Sequence, residues 1–186
     1  MSRIRAAAAG DGRAVGRVHV AAWQAGYRGQ LPDEVLDSMS PEQRGEAWER
    51  LLQAGGGRGR VILGESPASV LLAENDTGEI VGICAYGEAR GGELAAGEAV
   101  PEGTGELMFI NFEPGSWGTG LARQLLDAAV AGLRQLGYRQ AVLFVLDSNR
   151  RAQRFYEKAG WGPDGAVKIE ERPGLVLREL RYRTEL

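Results

Sequence analysis

The chain has 186 residues, 44% hydrophobic and 25% charged, enough to bury a substantial core as one domain without disulfides or metals. Its single cysteine, Cys84, excludes an intrachain disulfide and a cysteine-built zinc site; its single histidine, His19, leaves most metal constellations incomplete; and its longest fully apolar run, residues 141–146, cannot cross a bilayer. The net charge of −3 is uneven, with 10 basic against 17 acidic side chains in residues 1–113, 7 against 3 in 114–160 and 5 of each thereafter, which suits a local anionic ligand and not a general nucleic-acid surface.

In chain order, residues 3–6 suit a short strand. Four alanines broken by Gly10-Asp11 are too weak a segment for a secretory leader, so a cytoplasmic chain is expected. Asp11 then caps an amphipathic helix in which Val15, Val18, Ala22 and Gly26 keep helical spacing. Pro32 opens a short helical piece through Leu36, and Ser40-Pro41-Glu42-Gln43 opens another to about Leu52, ahead of a break at Gly55, Gly56, Gly57 and Gly59. Residues 70–74 and 79–86 form a hairpin about Asn75-Asp76-Thr77-Gly78, and the Gly/Ala/Glu-rich stretch 90–105 reads as a long, mobile surface loop.

From residue 106 the patterns strengthen. A strand over 106–112 is stopped by Pro114, which cannot donate to a ladder. A helix over about 118–136 places Leu121, Leu125, Leu126, Ala129, Leu133 and Leu136 on one face before Gly137 ends it. Residues 139–146 read as a buried strand. Ser148 or Asn149 caps a last helix whose Ala152, Phe155 and Ala159 face the core, and strands over 166–170 and 175–182 close the chain. No internal repeat occurs, and the order is mixed α/β with an antiparallel first half.

The strand–loop–helix unit around Pro114-Gly115-Ser116-Trp117-Gly118-Thr119-Gly120 is suited to phosphate. Helix N-termini carry unpaired N–H groups and favour negative charge, and glycine allows close backbone approach. An ordinary glycine-tolerant helix start is the plain alternative. A nucleotide-hydrolase loop would need Gly-Lys-Ser/Thr where Gly120-Leu121-Ala122 stands, and a dinucleotide fingerprint would need glycine where Arg123 stands, so both fail. Arg150, Arg151 and Arg154 could neutralise such a ligand or could simply solvate one helix.

Two motifs then resemble the GNAT superfamily of acyl-CoA N-acyltransferases. Trp117-Gly118-Thr119-Gly120-Leu121-Ala122, after Phe112-Glu113-Pro114, is similar to the family's pyrophosphate loop, with Trp117 at a usually polar position and Phe112 at a usual valine. Asn149, Ala152 and Phe155-Tyr156-Glu157-Lys158-Ala159-Gly160-Trp161 resemble the second motif. The resemblance covers essentially the whole chain. It implies an α/β (α+β) fold with a mixed, largely antiparallel twisted sheet of about six to seven strands flanked by helices, one domain over 1–186, acetyl-CoA as cosubstrate and no metal.

The same resemblance implies direct acetyl transfer to a primary amine of a small molecule or peptide, without nucleic-acid or membrane partners. Phe112, through its backbone N–H, Trp117, Gly118, Thr119, Gly120, Leu121, Ala122, Asn149 and Tyr156 would hold the cofactor. Tyr156 would serve the departing thiolate. An amine of pKa about 10.4 must lose a proton before attack at pH 7, and Glu106 is the candidate acceptor, with a surface glutamate as the alternative. Asn111 is polar for a strand centre, and a bulge could reverse its face. His19, Trp23 and Tyr27 share one helical face, suited either to an acceptor groove or to a core. Cys84 reads as a small core residue. A non-catalytic acyl-CoA sensor is the competing function, and the amine, the acyl length and the oligomeric state, a homodimer included, stay open.

Overall fold

The computed structural model describes residues 2–56, 59–172 and 175–186. Five helices, α1 (Gly12–Gly26), α2 (Asp33–Asp37), α3 (Pro41–Ala54), α4 (Leu121–Gln135) and α5 (Arg150–Lys158), accompany eight strands. These are β1 (Arg3–Ala6), β2 (Arg60–Leu63), β3 (Ser66–Glu74), β4 (Ile80–Glu88), β5 (Gly105–Phe112), β6 (Gln140–Leu146), β7 (Gly162–Arg172) and β8 (Leu175–Glu185). Among the described residues one sheet runs in the order β1-β3-β4-β5-β6-β8-β7, with β2 on β3, and of its strand pairs only β5–β6 is parallel.

The largely antiparallel α/β architecture is as expected, with one strand more than the sequence suggested. The additional strand is β2, four residues joined to β3 by Gly64-Glu65 so that Leu63 faces Ser66. Pro67 reads against a strand there, yet it lies just outside the β4 ladder, which begins at Ala68, so its missing N–H breaks no bond to β4.

The sheet separates two cores. On one face α4 and α5 cover Cys84, Tyr86, Leu107, Phe112, Leu143 and Tyr182, with Leu125, Leu126 and Leu133 almost wholly buried. Each such leucine contributes roughly 1.5–3 kcal/mol over exposure. On the other face α1 and α3 cover Val70, Leu72, Ile83 and Ala85. α4 begins at Leu121, later than the pattern indicates, and Leu136 lies past its end and is exposed. Asp11 is the N-cap residue of α1, its backbone carbonyl accepting from Val15 N–H, but its side chain makes no capping bond; its carboxylate is held by Arg5 and by the N–H of Ala8.

The connection at 89–104 is not a detached loop. The N–H groups of Ala95 and Ala96 donate to the carbonyl of Val167, and that of Val167 donates back to Ala96, fastening the loop to β7. No helix among the described residues is long and apolar enough to cross a membrane.

Candidate functional site

β5 and β6 pair only at Gly105–Ala141 and Glu106–Val142. Beyond that point the two strands share no ladder pairing, which leaves a gap, or slot, in the hydrogen bonding of the sheet between residues 107–112 of β5 and residues 143–146 of β6. Amides of a strand alternate in direction. Since Glu113 N–H donates to Val81 of β4 at 3.0 Å, the N–H of Phe112 is directed to the opposite side, into the slot. Asn111 pairs with Ile83, a residue of the α1/α3 core, so its side chain faces α1, and no hydrogen bond is made by it among the described residues. The bulge in β5 falls at Met108, before Asn111.

Past Phe112 the chain makes a single 3-10 turn, Pro114–Ser116, and then reaches the glycine loop. Gly118 and Gly120 have φ of 80° and 86°, a region costly for other residues, and nothing lies within 4 Å of where a Cβ would project. Glycine is therefore required by backbone conformation, and the surface above it is open. These two residues also delay the helix to Leu121. The Trp117 N–H donates to Pro114 and that of Leu121 reaches the Thr119 hydroxyl at 3.5 Å. The N–H groups of Gly118, Thr119, Gly120 and Ala122 have no protein acceptor among the described residues, so four of the six predicted loop amides are available at the α4 N-terminus.

Trp117 does more than carry a backbone amide. Its indole N–H donates to the Phe112 carbonyl at 3.1 Å, and the Arg151 guanidinium sits 3.4 Å from its ring centroid. This cation–π contact joins the two sequence motifs and holds a cation beside the open amides. Arg123, by contrast, is tied to Asp127 and to the Lys158 carbonyl.

Asn149 is the N-cap of α5, its side-chain oxygen accepting from Ala152 N–H at 3.1 Å, which leaves only its amide NH2 for a ligand. One helical face carries Asn149 and, seven residues on, Tyr156. Tyr156 is buried against Phe155 and Trp161, and its hydroxyl has no hydrogen-bond partner among the described residues. Burial, with Tyr27 and Cys84 nearby, raises its pKa above the ordinary value.

Glu106 is buried, not a surface residue, and both of its oxygens are engaged by Arg90. The Arg90 backbone N–H reaches Oε2 at 2.8 Å, Nε lies 3.2 Å from each oxygen, and Nη2 donates to Oε1. A carboxylate so occupied can release a proton-accepting lone pair only by disturbing that pair. Close by is Glu179 on β8, which the sequence did not single out. Its side chain is 20% exposed and lies 3.8 Å from Lys168. Burial raises its pKa, Lys168 and Arg90 oppose the rise, and Glu170 and Glu106 reinforce it.

The aromatic residues on this face of α1 differ in their surroundings. His19 stacks on Trp23 and contacts Trp48 and Phe109, and burial with Arg44 nearby lowers its pKa to about 4, so at neutral pH it is an uncharged core group. Tyr27, at the helix end, contacts Trp23 and lies within electrostatic range of Glu179 and Tyr156. Cys84 is wholly buried and its thiol is pushed up to about 12, which removes it as a nucleophile. No cluster of His, Cys, Asp or Glu suited to a metal ion occurs among the described residues.

A model of the Acetyltransferase (GNAT) family matches residues 12–161. The mycothiol acetyltransferase of Geodermatophilus obscurus is 40% identical over 65 residues, 35% of this chain and 21% of that protein. That of Propionibacterium freudenreichii subsp. shermanii is 32% identical over 95 residues, 51% of this chain and 28% of the relative. The chain thus spans well under half the length of these two relatives. The PaiA N-acetyltransferase of Thermoplasma acidophilum, solved in complex with coenzyme A, superimposes with a TM-score of 0.69 at 17% identity, covering 100% of this chain and 99% of that one. YncA of Salmonella typhimurium, solved with its cofactor acetyl-CoA, gives 0.66 at 20% identity and covers 100% and 94%.

Proposed function

Because the chain belongs to the acetyltransferase (GNAT) family, we propose that it transfers an acetyl group from acetyl-CoA directly to a primary amine, as a single-domain cytoplasmic enzyme. The observation that carries this reading is the slot between β5 and β6, with the Phe112 N–H directed into it and the open amides of Gly118, Thr119, Gly120 and Ala122 at its rim. The loop amides and Arg151 take the pyrophosphate, and Asn149 bonds the pantetheine arm as it runs along α5. The acetyl carbonyl then lies against the Phe112 N–H. That donor stabilises the oxyanion formed as the amine attacks.

Tyr156 serves the departing sulfur. At ordinary values, transfer of a phenol proton of pKa about 10 to a thiolate of about 8.5 is uphill by roughly 2 kcal/mol. Burial raises the phenol further, so the gap widens. Tyr156 therefore acts as a hydrogen-bond donor to the sulfur and keeps its own proton. The relatives named mycothiol acetyltransferase favour a small-molecule amine over a peptide amine.

The test is an acetyl-CoA titration joined to a thiol-release assay over a panel of primary amines. Saturable binding with acceptor-dependent release is expected. Binding with no release from any amine would identify a sensor instead.

A further inference from the structure

Glu106, predicted as the group that deprotonates the amine, is closed in by Arg90, which leaves the acceptor side in need of another base. Along β8, Leu180 and Tyr182 pack into the α4/α5 core, so Glu179 between its neighbours turns to the opposite face. On β5, Leu107 packs into that same core and Glu106 turns away from it. Both carboxylates thus lie on the α1 side of the sheet, where the end of α1 brings Tyr27. Across the ladder Glu179 faces Leu146, at the open end of the slot, and Lys168 of β7.

Resting on the acetyl-transfer reading above, we propose that Glu179, and not Glu106, takes the proton from the acceptor amine. Among the described residues Glu179 has one ion pair, Lys168 at 3.8 Å, beyond hydrogen-bond length, so its oxygens stay accessible to an ammonium group or to a relaying water. The charged and titratable groups facing it are Lys168 and Glu170 of β7, Arg90 of the connecting loop, Glu106 of β5 and Tyr27 of α1. Arg90 is neutralised by Glu106, which keeps the site from repelling a cationic acceptor. Glu106 is then a positioning residue acting through Arg90.

In the step itself, the ammonium form gives one proton to a Glu179 oxygen. The nitrogen lone pair forms the C–N bond to the thioester carbon, whose oxygen becomes the oxyanion at Phe112. As the C–S bond breaks, the second nitrogen proton passes to the sulfur, to which the Tyr156 hydroxyl is hydrogen-bonded. The products are an amide and the CoA thiol, and neutral Glu179 returns its proton to solvent. The base works only when deprotonated, so the rate falls as pH drops through its raised value.

The experiment measures kcat and kcat/KM from pH 5.5 to 9.5 for the full chain and for Glu179→Gln, Glu179→Asp and Glu106→Gln. Spermidine, tyramine, glucosamine and an alanyl peptide are the acceptors, and acetyl-CoA titration is the control for folding. Glu179→Gln is expected to lose about a hundredfold in kcat at pH 7 and to lose the acidic limb, with acetyl-CoA affinity unchanged. Glu179→Asp should recover part of the rate with a displaced limb, and Glu106→Gln should keep the limb. A Glu179→Gln chain that turns over with the wild-type acidic limb overturns the proposal, as does a Glu106→Gln chain that lacks that limb. A wild-type chain that binds acetyl-CoA yet releases thiol with none of the four amines overturns the acetyl-transfer reading itself, and this assignment falls with it.

Discussion

The two sides of the slot are built in opposite ways. On the side proposed for the cofactor, two contiguous stretches, residues 112–122 and 149–161, supply the open amides, the Trp117–Arg151 contact, the Asn149 cap and Tyr156. On the side proposed for the acceptor, Tyr27, Arg90, Glu106, Lys168 and Glu179 come from a helix end, a loop and three strands, separated by up to most of the chain. A ligand with a fixed phosphate geometry can be met by local backbone conformation, which a short motif encodes. A variable acceptor is met by side chains that only the tertiary fold brings together.

That contrast can be broken experimentally, and the largest effect should come where the two sides meet. Tyr156→Phe is expected to lower kcat by roughly a hundredfold while leaving acetyl-CoA affinity intact, measured by steady-state kinetics beside titration; an equal loss in both would make Tyr156 a packing residue. Gly120→Val forces a β-branched side chain into a left-handed conformation at a cost of about 1–2 kcal/mol. Acetyl-CoA binding should then weaken roughly tenfold, with the acceptor-side pH profile unchanged. Arg151→Ala removes a cation held on an exposed ring, so a loss of only a few-fold in affinity, near 1 kcal/mol, is expected, and it should shrink with added salt. Asn149→Ala removes a helix cap worth about 1 kcal/mol together with the proposed pantetheine contact, seen as a lowered Tm and a weakened acetyl-CoA affinity, with the smallest change in kcat.

The ease of reading the sequence follows the same division. Gly118 and Gly120 announce themselves because glycine at a left-handed position is a local demand, and the resemblance in 155–161 is contiguous. The start of α4 lies three residues later than the pattern indicates because those same glycines, which look like the first turn, hold the chain out of helical conformation. β2 was missed because four residues carry too short an alternation to stand out. Glu106 was found by its position before the loop, but its Arg90 partner lies sixteen residues away in a stretch without periodicity. Glu179 left only a faint sign. It alternates with Leu180 and Tyr182 along β8, showing a face with charges but not what those charges meet.

The gap between β5 and β6 has α4 and α5 on one side of the sheet and α1 on the other. In the proposed transfer the thioester donor and the amine would approach from opposite faces, and neither would have to wait for the other to leave. Order of addition would then be a matter of concentration instead of architecture, and a spent CoA at the glycine loop would not detain the acetylated product.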